Sequence, residues 1–114
     1  IQAEQLAKEY IDDEEAADKQ YRGKPITFEG TVVRFVPFKP GDAAHLVLVG
    51  HGEAEEATQI ICGFTIDHAA QAASIKEGSR VKLRGSLYVG KAGNEIHIGM
   101  CEILSVTKQP GSQP

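Results

Sequence analysis

The chain has 114 residues, 41% of them hydrophobic, with sixteen acidic and twelve basic side chains and a formal net charge of −4. That length fits one domain around one core, and the acidic balance opposes the phosphate attraction on which general nucleic-acid coating depends. No apolar run approaches the roughly twenty residues of a membrane-spanning helix, and the four histidines are scattered without paired metal-ligand spacing.

In chain order, AEQLAKEYIDDEEAADKQY, residues 3 to 21, is rich in helix formers and lacks glycine and proline. Leu6, Tyr10 and Ile11, then Ala16, Ala17 and Tyr21, make an apolar stripe that the run Asp12 to Glu15 interrupts or restarts as a second helix. Consecutive carboxylates on a helix point in different directions, so this run reads as a solvated face. The stripe can pack on the rest of the chain or mediate self-association.

GKPITFEGTV, residues 23 to 32, then returns as GSRVKLRGSL, residues 78 to 87. In the first copy Ile26, Phe28, Gly30 and Val32 alternate with polar residues, the period of a half-buried strand. Beyond Gly30 the apolar phase changes, as a bulge or bend produces. PFKPGDA, residues 37 to 43, is loop chemistry. HLVLV (45 to 49) and TQIICGF (58 to 64) read as strands around the polar turn GHGEAEEA. Ile60, Cys62 and Phe64 share one face of the latter, and Ile61 opposite them implies cover on both sides. Asp67 begins an alanine-rich helix anchored by Ile75 and ended by Gly78. The second copy gives a strand with Val81, Leu83, Gly85, Leu87 and Val89 on one face. GKAGN, residues 90 to 94, is a hairpin signal, and a last strand from Glu95 to about Val106 has an irregularity expected near Gly99.

Helix, three strands, short helix, two strands is the order of the five-stranded Greek-key barrel called the OB-fold, an all-β architecture with added helices. The first and fourth strands of that barrel pair, so the two scripted segments become partners whose glycines let the backbone bend. Expected units are a helical extension over 1–22, the barrel over 23–108 and a flexible tail over 109–114. The third and fifth strands adjoin, which leaves two states open for Cys62 and Cys101: buried free thiols or one disulfide.

ADKQYRGKPITFEGTV (17 to 32), IICGF (60 to 64), IKEGSRVKLRGSL (75 to 87) and the late cysteine of MCEI (100 to 103) resemble the tRNA_anti-like family of bacterial OB-fold proteins. The resemblance implies an OB-fold, often in exported or lipid-anchored proteins, and little about activity. A chain that starts at Ile1 agrees with a removed N-terminal segment, which points to the periplasm or cell surface and to a lipid anchor as one means of attachment.

The functional expectation is a non-catalytic binding domain using the OB surface of strands two and three. Its candidate contacts are Arg34, Phe38 and Lys39 on one side and Tyr88, Lys91 and Asn94 on the other, with Phe38 free to act as an aromatic anchor or to fold inward. A protein, an oligosaccharide or a small ligand fits this reading, with no cofactor and no metal. Single-stranded nucleic acid is the alternative, with Arg34, Lys39, Lys82, Arg84 and Lys91 as a basic stripe, disfavoured by net charge. Catalysis has only His51 beside Glu53, Glu55 and Glu56 to recommend it.

Overall fold

The structure is a computed structural model and describes residues 1–37, 39, 44–52 and 57–107, with the backbone alone at 88–90. Its elements are α1 (Ala3–Asp12), α2 (Glu14–Tyr21), β1 (Pro25–Val36), β2 (Ala44–His51), β3 (Thr58–Phe64), α3 (Ile66–Ala73), β4 (Arg80–Ala92) and β5 (Glu95–Thr107). The strands close a barrel in the order β1-β2-β3-β5-β4. All neighbours are antiparallel except β3 and β5, which run parallel over a short ladder from Gln59↔Glu95 to Cys62↔Ile98. This is the expected OB-fold barrel with added helices.

Ala3, Leu6, Ala7 and Tyr10 recur at helical spacing, and all four sit in the barrel's core cluster. The leading helix therefore packs on the barrel and supplies part of its interior. The acidic run does restart the helix: Asp13 is extended, and its carboxylate accepts a hydrogen bond from the Ala16 N–H at 3.1 Å to cap α2. Tyr10 and Tyr21 fix the helical hairpin by donating their hydroxyls to Asp18 Oδ1 (2.8 Å) and to Glu9 Oε1 (3.0 Å).

The repeated segments are partner strands. Phe28 pairs with Leu83 at their centre, and Ile26↔Gly85 and Gly30↔Val81 flank that pair. Each glycine thus faces the β-branched residue that opens the other copy's apolar set, so the repeat builds a local two-fold. Past Gly30 the register of β1 against β2 shifts between Val32 and Arg34. This bulge is the phase change seen in the sequence.

Two expectations need correction. The N-cap of α3 is Thr65, and Asp67 lies in the first turn instead. Gly78 does not end α3, which stops at Ala73; with φ +84° it forms the turn into β4 and donates to the Val32 carbonyl at 2.8 Å. Of the two states left open for the cysteines, the structure has buried free thiols at Cys62 and Cys101. Cys62 pairs with Ile98, and the Cys101 thiol donates to the Ile98 carbonyl at 3.4 Å.

Candidate functional site

Along β2 and β3, Leu46, Leu48, Ile60 and Cys62 point into the core, so Val47 and Ile61 must leave from the outer surface. Register extends that surface into one continuous rung, Arg34↔Val47↔Ile61↔His97↔Gly90, across β1, β2, β3, β5 and β4. At about 4.8 Å between strands, Arg34 and His97 stand roughly 14 Å apart. Val47 and Ile61, at 1% and 6% exposure, are closed off although they face outward. Val49, one pleat further along β2, is open at 41%.

The face is therefore apolar at its centre and ionisable at its ends. Arg34 is exposed. His97 Nε2 lies 3.0 Å from Glu95 Oε1 at the other end, and His45, paired with Val36, borders the rung on the side of the β1–β2 loop. Such a surface offers shape and a few directed polar contacts to a ligand.

The structure brings only some of the sequence candidates together. Arg34 lies on the rung and Lys39 is exposed beyond the end of β1. Asn94 is exposed in the β4–β5 turn, where its carbonyl accepts from the Gln59 N–H at 2.8 Å and ties the hairpin to β3. Lys91 pairs with Ile96, an inward residue, so its side chain leaves the hairpin on the side opposite to the outer rung. Phe38 lies outside the described residues, and so does the side chain of Tyr88. Alternation along HLVLV held the signal for Val47 and Val49. His97 had none, because its place on the rung depends on how β5 registers against β3.

The basic stripe is divided. Lys82 and Arg84 lie opposite Glu29 and Thr27 on the β1–β4 side, five and seven residues, or roughly 17 and 24 Å, along β1 from Arg34. Arg84 pairs with Glu102 at 2.5 Å. Arg80 holds Glu4 at 2.8 Å and Thr31 Oγ1 at 3.1 Å, and also donates to Gln2. Of the seven aromatic residues, Tyr10, Tyr21, Phe28 and Phe64 are buried and Phe35 packs on the core, which leaves Phe38 and Tyr88. Among the described residues no three His, Cys, Asp or Glu side chains converge on a point where a metal could sit. Glu53, Glu55 and Glu56 lie outside the described residues. Among the described residues no helix is long and apolar enough to cross a membrane.

Comparison with known proteins adds the following. A family model named tRNA_anti-like matches residues 1–95. No curated protein sequence matches the chain. Among solved structures, a Klebsiella pneumoniae protein with the provisional name of nucleic acid-binding lipoprotein superposes with a TM-score of 0.68 at 12% identity, over 92% of each chain. A replication factor A related protein from Methanobacterium thermoautotrophicum gives 0.48 at 13% identity, over 74% of this chain and 84% of that one.

Proposed function

The chain belongs to the tRNA_anti-like family, and from that premise we propose that it is a non-catalytic OB-fold binding domain of an exported bacterial protein. Its ligand, a protein, an oligosaccharide or a small molecule, lies across the outer face of β1, β2 and β3. Arg34, Lys39 and Asn94 are its proposed polar contacts, with Phe38 and Tyr88 as proposed aromatic ones. The observation that carries this reading is the rung from Arg34 to His97, with its closed apolar centre and ionisable ends. A polyphosphate needs a continuous track of cations, whereas this rung supplies one arginine and a histidine already engaged by Glu95.

Amide chemical shifts recorded against peptides, soluble oligosaccharides and short single-stranded DNA test the site. Perturbations along the outer positions of β1 to β3 that vanish in Arg34→Ala support the reading, and perturbations confined to α1 and α2 sink it. Export is tested by fractionating cells that make the native protein. Recovery with the envelope agrees, and recovery with the cytosol does not.

One observation favours a second reading, single-stranded nucleic acid. Residues 1–22 hold seven acidic and three basic residues, the whole net charge of −4, and residues 23–114 hold nine of each. The barrel by itself is neutral, which removes most of the charge argument against a phosphate backbone. Retention on heparin and on single-stranded DNA at about 50 mM and about 200 mM salt separates the two: a steep loss with salt selects nucleic acid, and no retention at either selects the first reading.

A further inference from the structure

Met100 is the one described non-glycine residue with positive φ, at 54°, and its side chain is 68% exposed. A long side chain in that region is strained. The strain has a visible product. Ile96 and Ile98 face inward at alternate positions, so an even pleat would turn residue 100 inward next. The left-handed step at Met100 breaks the alternation, throws Met100 out and turns Cys101 in.

Inside the barrel the Cys101 thiol donates to the carbonyl of Ile98 at 3.4 Å, and Ile98 is the residue that pairs with Cys62 across the β3–β5 ladder. Space for the sulfur comes from Gly85, where an added Cβ would lie 2.8 Å from Cys101 Sγ. A strained residue, a glycine gap and a buried thiol on the adjoining strand thus converge on one pair of sulfurs.

We propose that Cys62 and Cys101 form a dithiol oxidation site, closing on exposure to a disulfide oxidant into a bond that locks β3 to β5 behind the outer rung. One cysteine thiolate attacks a sulfur of the oxidant disulfide and expels one oxidant thiol, leaving a mixed disulfide. The second cysteine attacks the protein sulfur of that bond and expels the other. Two protein thiols lose two protons and two electrons, and the oxidant disulfide is reduced to two thiols.

Burial pushes the Cys62 thiol well above its usual range, so the closed barrel exchanges slowly. Exchange waits on opening of the short parallel ladder, a seam of four registered pairs. Once made, the bond fixes Cys62, whose neighbour Ile61 lies at the middle of the outer face.

The test treats the reduced full chain with oxidised glutathione and then titrates thiols in denaturant, with peptide mapping. The expected result is loss of both titratable thiols, a Cys62–Cys101 linked peptide, a melting temperature raised by roughly ten degrees, and full reversal by dithiothreitol. Glutathione adducts on separate cysteines, dimers linked between chains, or two thiols still titratable after incubation in mild denaturant would each overturn it. Met100→Gly, which accepts φ 54° without strain, keeps the closure under this proposal, and failure of that variant to close counts against it as well.

Discussion

Gly30 and Gly85 hold matched places in the repeated segments, yet an added methyl group would strike different things at each. At Gly30 it would come within 2.8 Å of Ala3 Cβ on α1 and 2.9 Å of the Leu48 Cδ1 methyl. At Gly85 it would come within 2.8 Å of Cys101 Sγ and Ile98 Cγ2, and within 2.9 Å of the Gly99 backbone oxygen. Neither glycine has a φ that only glycine adopts, so both are kept for room. One corner admits Ala3 of α1 and a Leu48 methyl. The other admits the irregular backbone of β5. Side chains can yield and a hydrogen-bonded backbone cannot, so the second corner should tolerate less.

The largest effect is expected at that second corner. Gly85→Ala should destabilise the protein by about 3 kcal/mol, at the upper end of overpacking costs, read from the urea midpoint. Adding Cys101→Ala should restore only part of it, because the Gly99 oxygen stays in the way. Full restoration would mean that the sulfur alone fills the corner. Gly30→Ala should cost less, about 2 kcal/mol, and Ala3→Gly in the same chain should recover most of that loss, since the Leu48 methyl can rotate aside. Equal sensitivity at the two sites, or no rescue by Ala3→Gly, breaks the contrast.

Much of the barrel was legible because its information is local or repeated. The period-2 faces, the phase change after Gly30, the hairpin at residues 90 to 94 and the irregularity near Gly99 all follow from neighbours in sequence. The tenants of the two glycine corners were not legible. Ala3 lies 27 positions from Gly30 and Cys101 lies 16 from Gly85, and nothing in either stretch encodes an approach of 2.8 Å. On the candidate face, the two-sided cover of Ile61 was legible. The place of His97 was not, since it joins the rung only through a parallel register that no turn fixes. The side on which Lys91 leaves was not legible for the same reason: alternation gives two faces, but the pairing with Ile96 decides which one looks inward.

A smaller effect should come from the phenols that hold α1 to α2, next to the tolerant corner. Burial, then the hydrogen bond and charge of Glu9, push the Tyr21 hydroxyl up to about 12; burial, then Asp18, push Tyr10 higher still. Raised folded values favour the neutral phenols. Their contribution is complete below the unfolded value near 10 and drains away as pH rises through about 12 for Tyr21. Tyr10→Phe and Tyr21→Phe should each cost about 1 to 2 kcal/mol at neutral pH, the worth of a hydrogen bond to a carboxylate. The Tyr21→Phe penalty should shrink between pH 10 and pH 12, measured by denaturation across that range. A penalty that stays constant to pH 12 would show that ring packing is lost and the hydroxyl plays no part.

The smallest effect tests whether α1 is clipped at the Gly30 corner by charge. Burial alone would raise the Glu4 carboxyl, but the Arg80 hydrogen bond and charge outweigh it, and Glu4 ends below its usual value. A lowered folded value means that the stabilisation is present above the unfolded pKa, near 4.3, and is lost as pH falls through the folded one. The ion pair is partly solvated, so Glu4→Gln should cost only about 0.5 kcal/mol at pH 7, and less in high salt. The difference between the two proteins should close in acid, as the native Glu4 takes up its proton. Coupling decides which corner the clip serves. Combined with Gly85→Ala, Glu4→Gln should add independently, whereas with Gly30→Ala, which already pushes Ala3 and α1 away from β1, it should cost less than it does alone. Equal costs in the two backgrounds would detach Arg80 from the docking of α1 and leave Gly30 with packing as its sole partner.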